Sequence, residues 1–241
     1  MNVLFLTDSL GYPREGPDAA KGVDVWPYKV SLMLNNKRSS NKLNLFFDAR
    51  PGRDTNELVK NRDKHIKAFQ ADVIVLQIGI VDCYSRALTK IEAKVLPALP
   101  FIGKLTKYFV KKYYQRIVKF RNMSYVNPSD FRDNLEYFRD GLVQTEFVVL
   151  PIAPASDEYK LLNPLIEERV IQYNQILKSV FSDMYIGDCY NEENAVDLFL
   201  PDNHHLSRKG HEVVSNKVYS VLMKRCNCEF GLLNKDSQNR E

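Results

Sequence analysis

Apolar positions along the chain switch repeatedly between the period of a buried strand and the period of a helix. Asn2 to Thr7 is a short apolar run that ends in a polar turn, which predicts a buried first strand feeding a loop. Val23, Trp26, Val30 and Leu34 then recur at helical spacing, and Pro27 marks about where that helix starts. Leu43 to Phe47 is a second strand, closed by an Ala-Arg-Pro-Gly-Arg-Asp turn, and Asn56 to Phe69 reads as a helix. Asp72 to Ile80 (DVIVLQIGI) carries the strongest strand signal, with continuous apolar residues that fit a strand covered on both faces of a parallel sheet. Further along, Pro128 to Leu142 predicts a helix, Glu146 to Ile152 a buried strand, and Leu165 to Phe181 an amphipathic helix. Met184 to Ile186 reads as a short strand and Ser207 to Met223 as a last helix.

Strands alternating with helices in this way predict an α/β fold, a three-layer α/β/α sandwich with a mostly parallel sheet. Ligands in such sheets sit beyond the carboxyl ends of the strands. Three loops after strands are rich in chemistry there: TDSLG, RPGRDT and GIVDC. A chain of 241 residues fits one enzyme-sized domain, spanning 1–241, with an insertion at about 85–127.

Charge sets that insertion apart. The whole chain carries a formal +4, yet ten Lys or Arg fall between Ser85 and Ser124 against the single acid Glu92, leaving the remainder mildly acidic. Within it, Phe101 to Arg121 predicts one amphipathic helix: Ile102, Leu105, Phe109, Tyr113, Ile117 and Phe120 share a side, and most lysines lie opposite. Two readings stay open. One is a lid packing its aromatic stripe on the core; the other is a surface for an anionic partner, such as a membrane face or a lipid-linked glycan. Nucleic acid is disfavoured, because no recognised binding module accompanies the charge.

The four cysteines, Cys83, Cys189, Cys226 and Cys228, are irregularly placed and imply neither a disulfide framework nor a structural zinc site. Asp8 breaks the first apolar run too early for a signal peptide, so the expectation is a cytoplasmic protein, at most peripheral to the inner face of a membrane.

A serine becomes a nucleophile when a neighbouring imidazole takes its proton and a carboxylate orients that imidazole. Ser9 lies just beyond the first strand, and PDNHHLSRKGH places Asp202 three residues before His205, a spacing that lets the carboxylate turn back onto Nδ1. Taken alone, Ser9 reads equally as a turn serine, Asp8 as a helix cap, Gly52 as a turn glycine and Asp82 as a structural loop carboxylate. His204, His205 and His211 invite a metal, but adjacent histidines tend to point apart and no thiol or carboxylate cluster completes a set; no metal and no cofactor is expected.

The motifs resemble those of the SGNH/GDSL hydrolases. TDSLG (Thr7 to Gly11) is similar to the GDSL block with its first glycine replaced, PGRDT (Pro51 to Thr55) to the second block, and IGIVD (Ile78 to Asp82) to the third. VIQYNQIL resembles the YN-containing helix, and DNHHLSRKGH the final D-x-x-H block. The resemblance implies a flavodoxin-like fold, Ser9 as nucleophile, His205 as general base and Asp202 as its orienter. It also implies an oxyanion hole from the amides of Ser9 and Gly52. Where the family carries an oxyanion-hole asparagine this chain has Val81; either another group substitutes, with Arg53, Tyr84 or Arg86 as the nearby candidates, or this branch is slower, or it does something else. The implied activity is ester hydrolysis or O-acyl transfer, with small acetyl esters of carbohydrates in surface-polysaccharide assembly as the substrate class. Longer acyl chains, or a non-catalytic binding module, are the alternatives.

Overall fold

The computed structural model describes residues 1–36, 43–99, 102–187, 189–190 and 195–238. In chain order the elements are β1 (Asn2–Thr7), α1 (Trp26–Asn36), β2 (Asn44–Ala49), α2 (Thr55–Phe69), β3 (Val73–Gln77), α3 (Ile80–Cys83), α4 (Lys90–Val95), α5 (Ile102–Lys112) and α6 (Tyr114–Arg121). There follow α7 (Pro128–Asp140), β4 (Glu146–Val149), α8 (Asp157–Leu162), α9 (Ile166–Phe181) and α10 (Arg208–Gln238). Short 3₁₀ turns link several of them.

The four strands form one parallel sheet in the order β2-β1-β3-β4. Successive residues of a strand face opposite sides, and both sides are apolar here, so the sheet is covered twice. Leu4, Leu6, Ile74, Leu76 and Phe147 pack against Leu58 of α2, Phe131 and Leu135 of α7 and Tyr173 of α9. Val3, Phe5, Val75 and Val148 pack against Trp26 and Val30 of α1 and Val214 and Val218 of α10. The three-layer α/β/α sandwich expected from the sequence is therefore present. Cys83 and Cys189 are buried on opposite sides of the sheet, while the side chains of Cys226 and Cys228 lie outside the described residues.

Met184 to Ile186 does not form the short strand that the sequence suggests. Tyr185 makes an isolated parallel bridge to Val149, with the Ile186 amide donating to the Val149 carbonyl at 2.8 Å, and no ladder follows.

The basic insertion departs further from expectation. Its single helix is two, broken at Tyr113 (φ −113°, ψ 19°), and Asn122 ends the second in the left-handed region. Pro100 and Phe101, where the sequence starts the helix, lie outside the described residues. The lid packing its aromatic stripe on the core is not what forms: Leu105 is 58% exposed, Phe109 46% and Phe120 91%. The break bears on Phe120, which lies on α6. It rotates α6 so that Val118 is its buried residue and Tyr114 reaches the Ser85 carbonyl at 3.2 Å. Glu92, the one acid of the segment, closes a capping box with Thr89 on α4 and pairs with Arg121 at 2.6 Å. Among the described residues no helix is long and apolar enough to cross a membrane.

Candidate active site

Strand order reverses direction about β1, with β2 on one side and β3 on the other, and the loops after these three strands open at the same carboxyl edge. Ser9 follows β1 there. Asp8 caps the 3₁₀ turn Ser9–Gly11, its Oδ1 accepting the Leu10 amide at 2.9 Å, and its own amide donates to the Gln77 carbonyl of β3 at 3.0 Å. Asp8 is thus the cap that its sequence position allows. Burial pushes its carboxyl up to about 7, against the Leu10 amide and the charges of Arg53 and Arg14. Beneath the turn, Gln77 is clamped between Trp26 Nε1, which donates to its Oε1 at 2.8 Å, and Tyr190 Oη, which accepts from its Nε2 at 2.7 Å.

His205 arrives from the far end of the chain. The loop before α10 folds back on itself through the Leu200 amide to the His205 carbonyl (2.8 Å) and the Ser207 amide to the Leu198 carbonyl (2.9 Å). Asp202 Oδ1 accepts the amides of His204 and His205 at 3.2 and 3.0 Å, a local side-chain turn that fixes its direction. Its Oδ2 stands 2.7 Å from His205 Nδ1, and His205 Nε2 stands 3.2 Å from Ser9 Oγ. The structure therefore brings Ser9, His205 and Asp202 into one hydrogen-bonded line. Burial holds His205 below the ordinary imidazole range; Asp202 opposes this, and the neighbouring His204 and Arg14 add to it. Asp202 is held below the usual carboxylate range because the amide and ring of His205 outweigh its own burial.

A second group touches the same nitrogen. Arg14 Nη2 lies 2.5 Å from His205 Nε2. A guanidinium only donates, so Nε2 is the acceptor and the ring proton sits on Nδ1, facing Asp202. That is the tautomer a general base requires.

Across the cavity, Gly52 occupies the left-handed region (φ +79°), which its turn requires of a glycine. Among the described residues neither the Ser9 nor the Gly52 amide donates to a main-chain acceptor. Gly79 begins α3 at φ +124°, and a Cβ there would sit 2.6 Å from Ile152, so β3 can hand over to α3 only through glycine. Val81 follows on α3 and offers no side-chain donor to the cavity it lines. Asp82 is buried and accepts both the amide and the hydroxyl of Thr55, at 2.8 and 2.6 Å, locking the third block onto the second. Burial pushes it up to about 7.

Solved structures with a similar fold are numerous. A lipase/acylhydrolase from Enterococcus faecalis matches over 92% of this chain and 95% of its own, with a TM-score of 0.63 and 14% identity. A psychrotrophic esterase from Pseudoalteromonas sp. matches over 93% and 98% (TM-score 0.58, 11% identity). A catalytic mutant of an acetylxylan esterase from Geobacillus stearothermophilus matches over 90% and 91% (TM-score 0.58, 13% identity). The fold is that of the SGNH/GDSL hydrolases. No family model and no curated relative matches the sequence, so the likeness is one of structure.

Within that SGNH fold, the three groups named as stand-ins at Val81 fare differently. Arg53 does not line the cavity. Its guanidinium is buried behind the second block, donating to the carbonyls of Thr7 (3.1 Å) and Asp48 (2.6 Å) and pairing with Asp48 at 2.8 Å. Asp48 is held far below the usual carboxylate range, against its own burial, by His65 and Arg53. Tyr84 and Arg86 do line the cavity over Ser9, which has a volume of about 320 Å³. Arg14 lines it too. Sequence reasoning missed Arg14, which belongs to no block; its only signal is a basic residue five positions after Ser9 in the loop that follows the Ser9–Gly11 turn.

The histidines also differ from expectation. His204 and His205 do not point apart: their ring centroids are 4.0 Å apart, because the left-handed Asn203 (φ 63°) curls the loop and places both on one side. Asp202, His204 and His205 each bring a ligand atom within 4.8 Å of the others. Holding a cation there would compete with the Asp202 to His205 hydrogen bond. His211 is buried beneath, its Nδ1 accepting the Trp26 amide at 3.2 Å, and burial pushes it down to about 3.

Proposed function

We propose that this chain is a serine-dependent ester hydrolase or O-acyltransferase that works through an acyl-Ser9 intermediate. The observation that carries this reading is the line from Ser9 Oγ through His205 to Asp202, at 3.2 and 2.7 Å. Ser9 Oγ attacks the ester carbonyl carbon while its proton passes to His205 Nε2. The tetrahedral oxyanion is held by the amides of Ser9 and Gly52 and collapses, expelling the alcohol, which takes the proton from Nε2. Water, or a sugar hydroxyl in the transfer reaction, then gives its proton to Nε2 and attacks the acyl carbon, and Ser9 leaves with that proton. Asp202 holds the Nδ1 tautomer and supports the imidazolium in each half.

For substrate, we favour small acetyl esters of carbohydrates in surface-polysaccharide assembly. The modest cavity over Ser9, with polar groups at Arg14, Tyr159 and His204, supports this, as does the fold shared with an acetylxylan esterase. A specific feature favours a second reading, longer acyl chains. An apolar cavity of about 550 Å³, lined by Leu88, Leu96, Val110 and Leu162, shares Tyr84 with the first. The exposed Leu105, Phe109 and Phe120 beside the lysines of α5 and α6 support a cytoplasmic enzyme resting on an anionic membrane surface, with a lipid-linked glycan within reach. p-Nitrophenyl esters of two to twelve carbons, assayed with wild type and Ser9→Ala, test the proposal. Turnover that Ser9→Ala abolishes and that peaks at acetyl supports it; equal residual rates in the two proteins overturn it.

A further inference from the structure

Two guanidiniums face the cavity over Ser9, and neither is neutralised there. Arg86 is held flat by two rings, its Cζ 4.1 Å from the Tyr84 centroid and 4.5 Å from that of Tyr125. Such stacking fixes the plane of the fork but uses none of its N–H donors. Its Nε is buried without an acceptor, and so is the Nε of Arg14. Leaving such donors dry costs free energy, and a partner that supplies oxygens recovers it. Among the residues lining this cavity the one acid is Asp202, which is already committed to His205. His204 adds a further titratable nitrogen on the same wall, stacked on Tyr159 at 5.4 Å. The lining therefore presents positive charge to whatever ester sits on Ser9, in a cavity of small-molecule size.

We propose that Arg14 and Arg86 form a subsite for an anionic group, a carboxylate or a phosphate, carried by the substrate beside its ester. Planar forks of this kind match the paired oxygens of either group. The subsite also explains a conflict at His205. Nε2 of His205 has one lone pair, which Arg14 meets at 2.5 Å and Ser9 at 3.2 Å. An anion drawing the Arg14 guanidinium toward itself leaves that lone pair to Ser9, so binding of the charged substrate also readies the base.

The inference rests on the reading of Ser9 as nucleophile, and one set of probes separates the two. 4-Acetoxybenzoate and 4-acetoxyphenyl phosphate carry the same acetyl ester as the neutral methyl 4-acetoxybenzoate, and each reports a phenol on cleavage. We expect wild type to favour the anionic esters by about tenfold to a hundredfold in kcat/KM, as loss or gain of a charge-assisted hydrogen bond implies, with the carboxylate and phosphate arms showing which anion fits. The preference should shrink as salt is raised. Arg86→Met and Arg14→Met should each bring the anionic-to-neutral ratio toward one, and Arg86→Lys should restore part of it. A wild type that takes the neutral ester as well as the charged ones, or a ratio that survives Arg86→Met, overturns the subsite; should a Met variant fail to fold, the wild-type ratio and its salt dependence decide alone. Binding of 4-acetoxybenzoate to Ser9→Ala provides the separate readout. Arg86-dependent affinity without Ser9-dependent turnover keeps the subsite and removes the serine mechanism, while Ser9-dependent turnover indifferent to charge does the reverse.

Discussion

Arg14 Nη2 and His205 Nε2 lie 2.5 Å apart, at the nitrogen that receives the Ser9 proton in the proposed mechanism. A cation against that nitrogen disfavours a second proton on the ring, as burial already does. The imidazole is a base only when neutral, so kcat/KM should rise with pH through the His205 transition. Because the transition is lowered, we expect its midpoint below the ordinary imidazole value of about 6.5. Arg14→Met removes a positive charge and should move that midpoint upward. A pH–rate profile on a neutral ester checks both; a midpoint above the ordinary value, or one that Arg14→Met lowers, contradicts them.

Val81 leaves a gap that a single substitution can fill. It lines the cavity on α3, where the resemblance to SGNH/GDSL hydrolases implies an asparagine, and has no donor to offer. Removing one oxyanion donor from a complete hole typically costs about 10² to 10³ in kcat. Val81→Asn should therefore raise kcat at least tenfold on an unhindered acetyl ester, with a smaller change in KM. An unchanged or lower kcat in a folded variant would mean that the hole already has its third donor.

Asp82 makes stability depend on pH in a direction opposite to a paired surface carboxylate. Its folded value is pushed up to about 7, well above the ordinary 3.8. Its contribution is fully present below the unfolded value and is lost as pH rises through the folded one, because the unfolded chain ionises first. Asp82→Asn keeps a carbonyl oxygen for Thr55 and cannot ionise. The stability of the variant relative to wild type should climb between pH 4 and pH 8, by on the order of 1–3 kcal/mol, in urea titrations at the two pH values. A flat difference removes the effect.

The exposed stripe of the insertion gives a test of its own. If Leu105, Phe109 and Phe120 enter an interface while the neighbouring lysines meet lipid charge, flotation with phosphatidylserine-containing liposomes should be strong at low salt. It should be weaker with phosphatidylcholine alone and largely lost in a Leu105→Ser, Phe109→Ser, Phe120→Ser variant. Equal flotation of the variant would assign this face another role.

Much of this architecture was legible because its signals are local. Asp72 to Ile80 reads as a two-face strand from composition alone, and the spacing from Asp202 to His205 is itself the turn that joins them. What the sequence hid depends on distant contacts. Met184 to Ile186 has strand-like residues, yet whether they extend a sheet depends on β4, which offers only the Val149 bridge. The aromatic stripe of 101–121 has a helical period whether or not a core receives it, and the break at Tyr113 follows from anchoring Val118 and Tyr114 elsewhere. Arg14 could not be found by spacing, since its relation to His205 crosses 191 residues of chain. The same is true of Asp82, whose partner Thr55 lies on another block.

The central claim is that Ser9 is the nucleophile and His205 its base, and covalent capture tests it most directly. Wild type, Ser9→Ala and His205→Ala are treated with a fluorophosphonate and the adduct is located by peptide mass spectrometry. The expected result is a single phosphonylated residue, Ser9, in wild type, no label in Ser9→Ala, and labelling slowed by about 10² or more in His205→Ala. A wild type that stays unlabelled, or a label that persists in Ser9→Ala, would contradict the mechanism built on the line from Ser9 to Asp202.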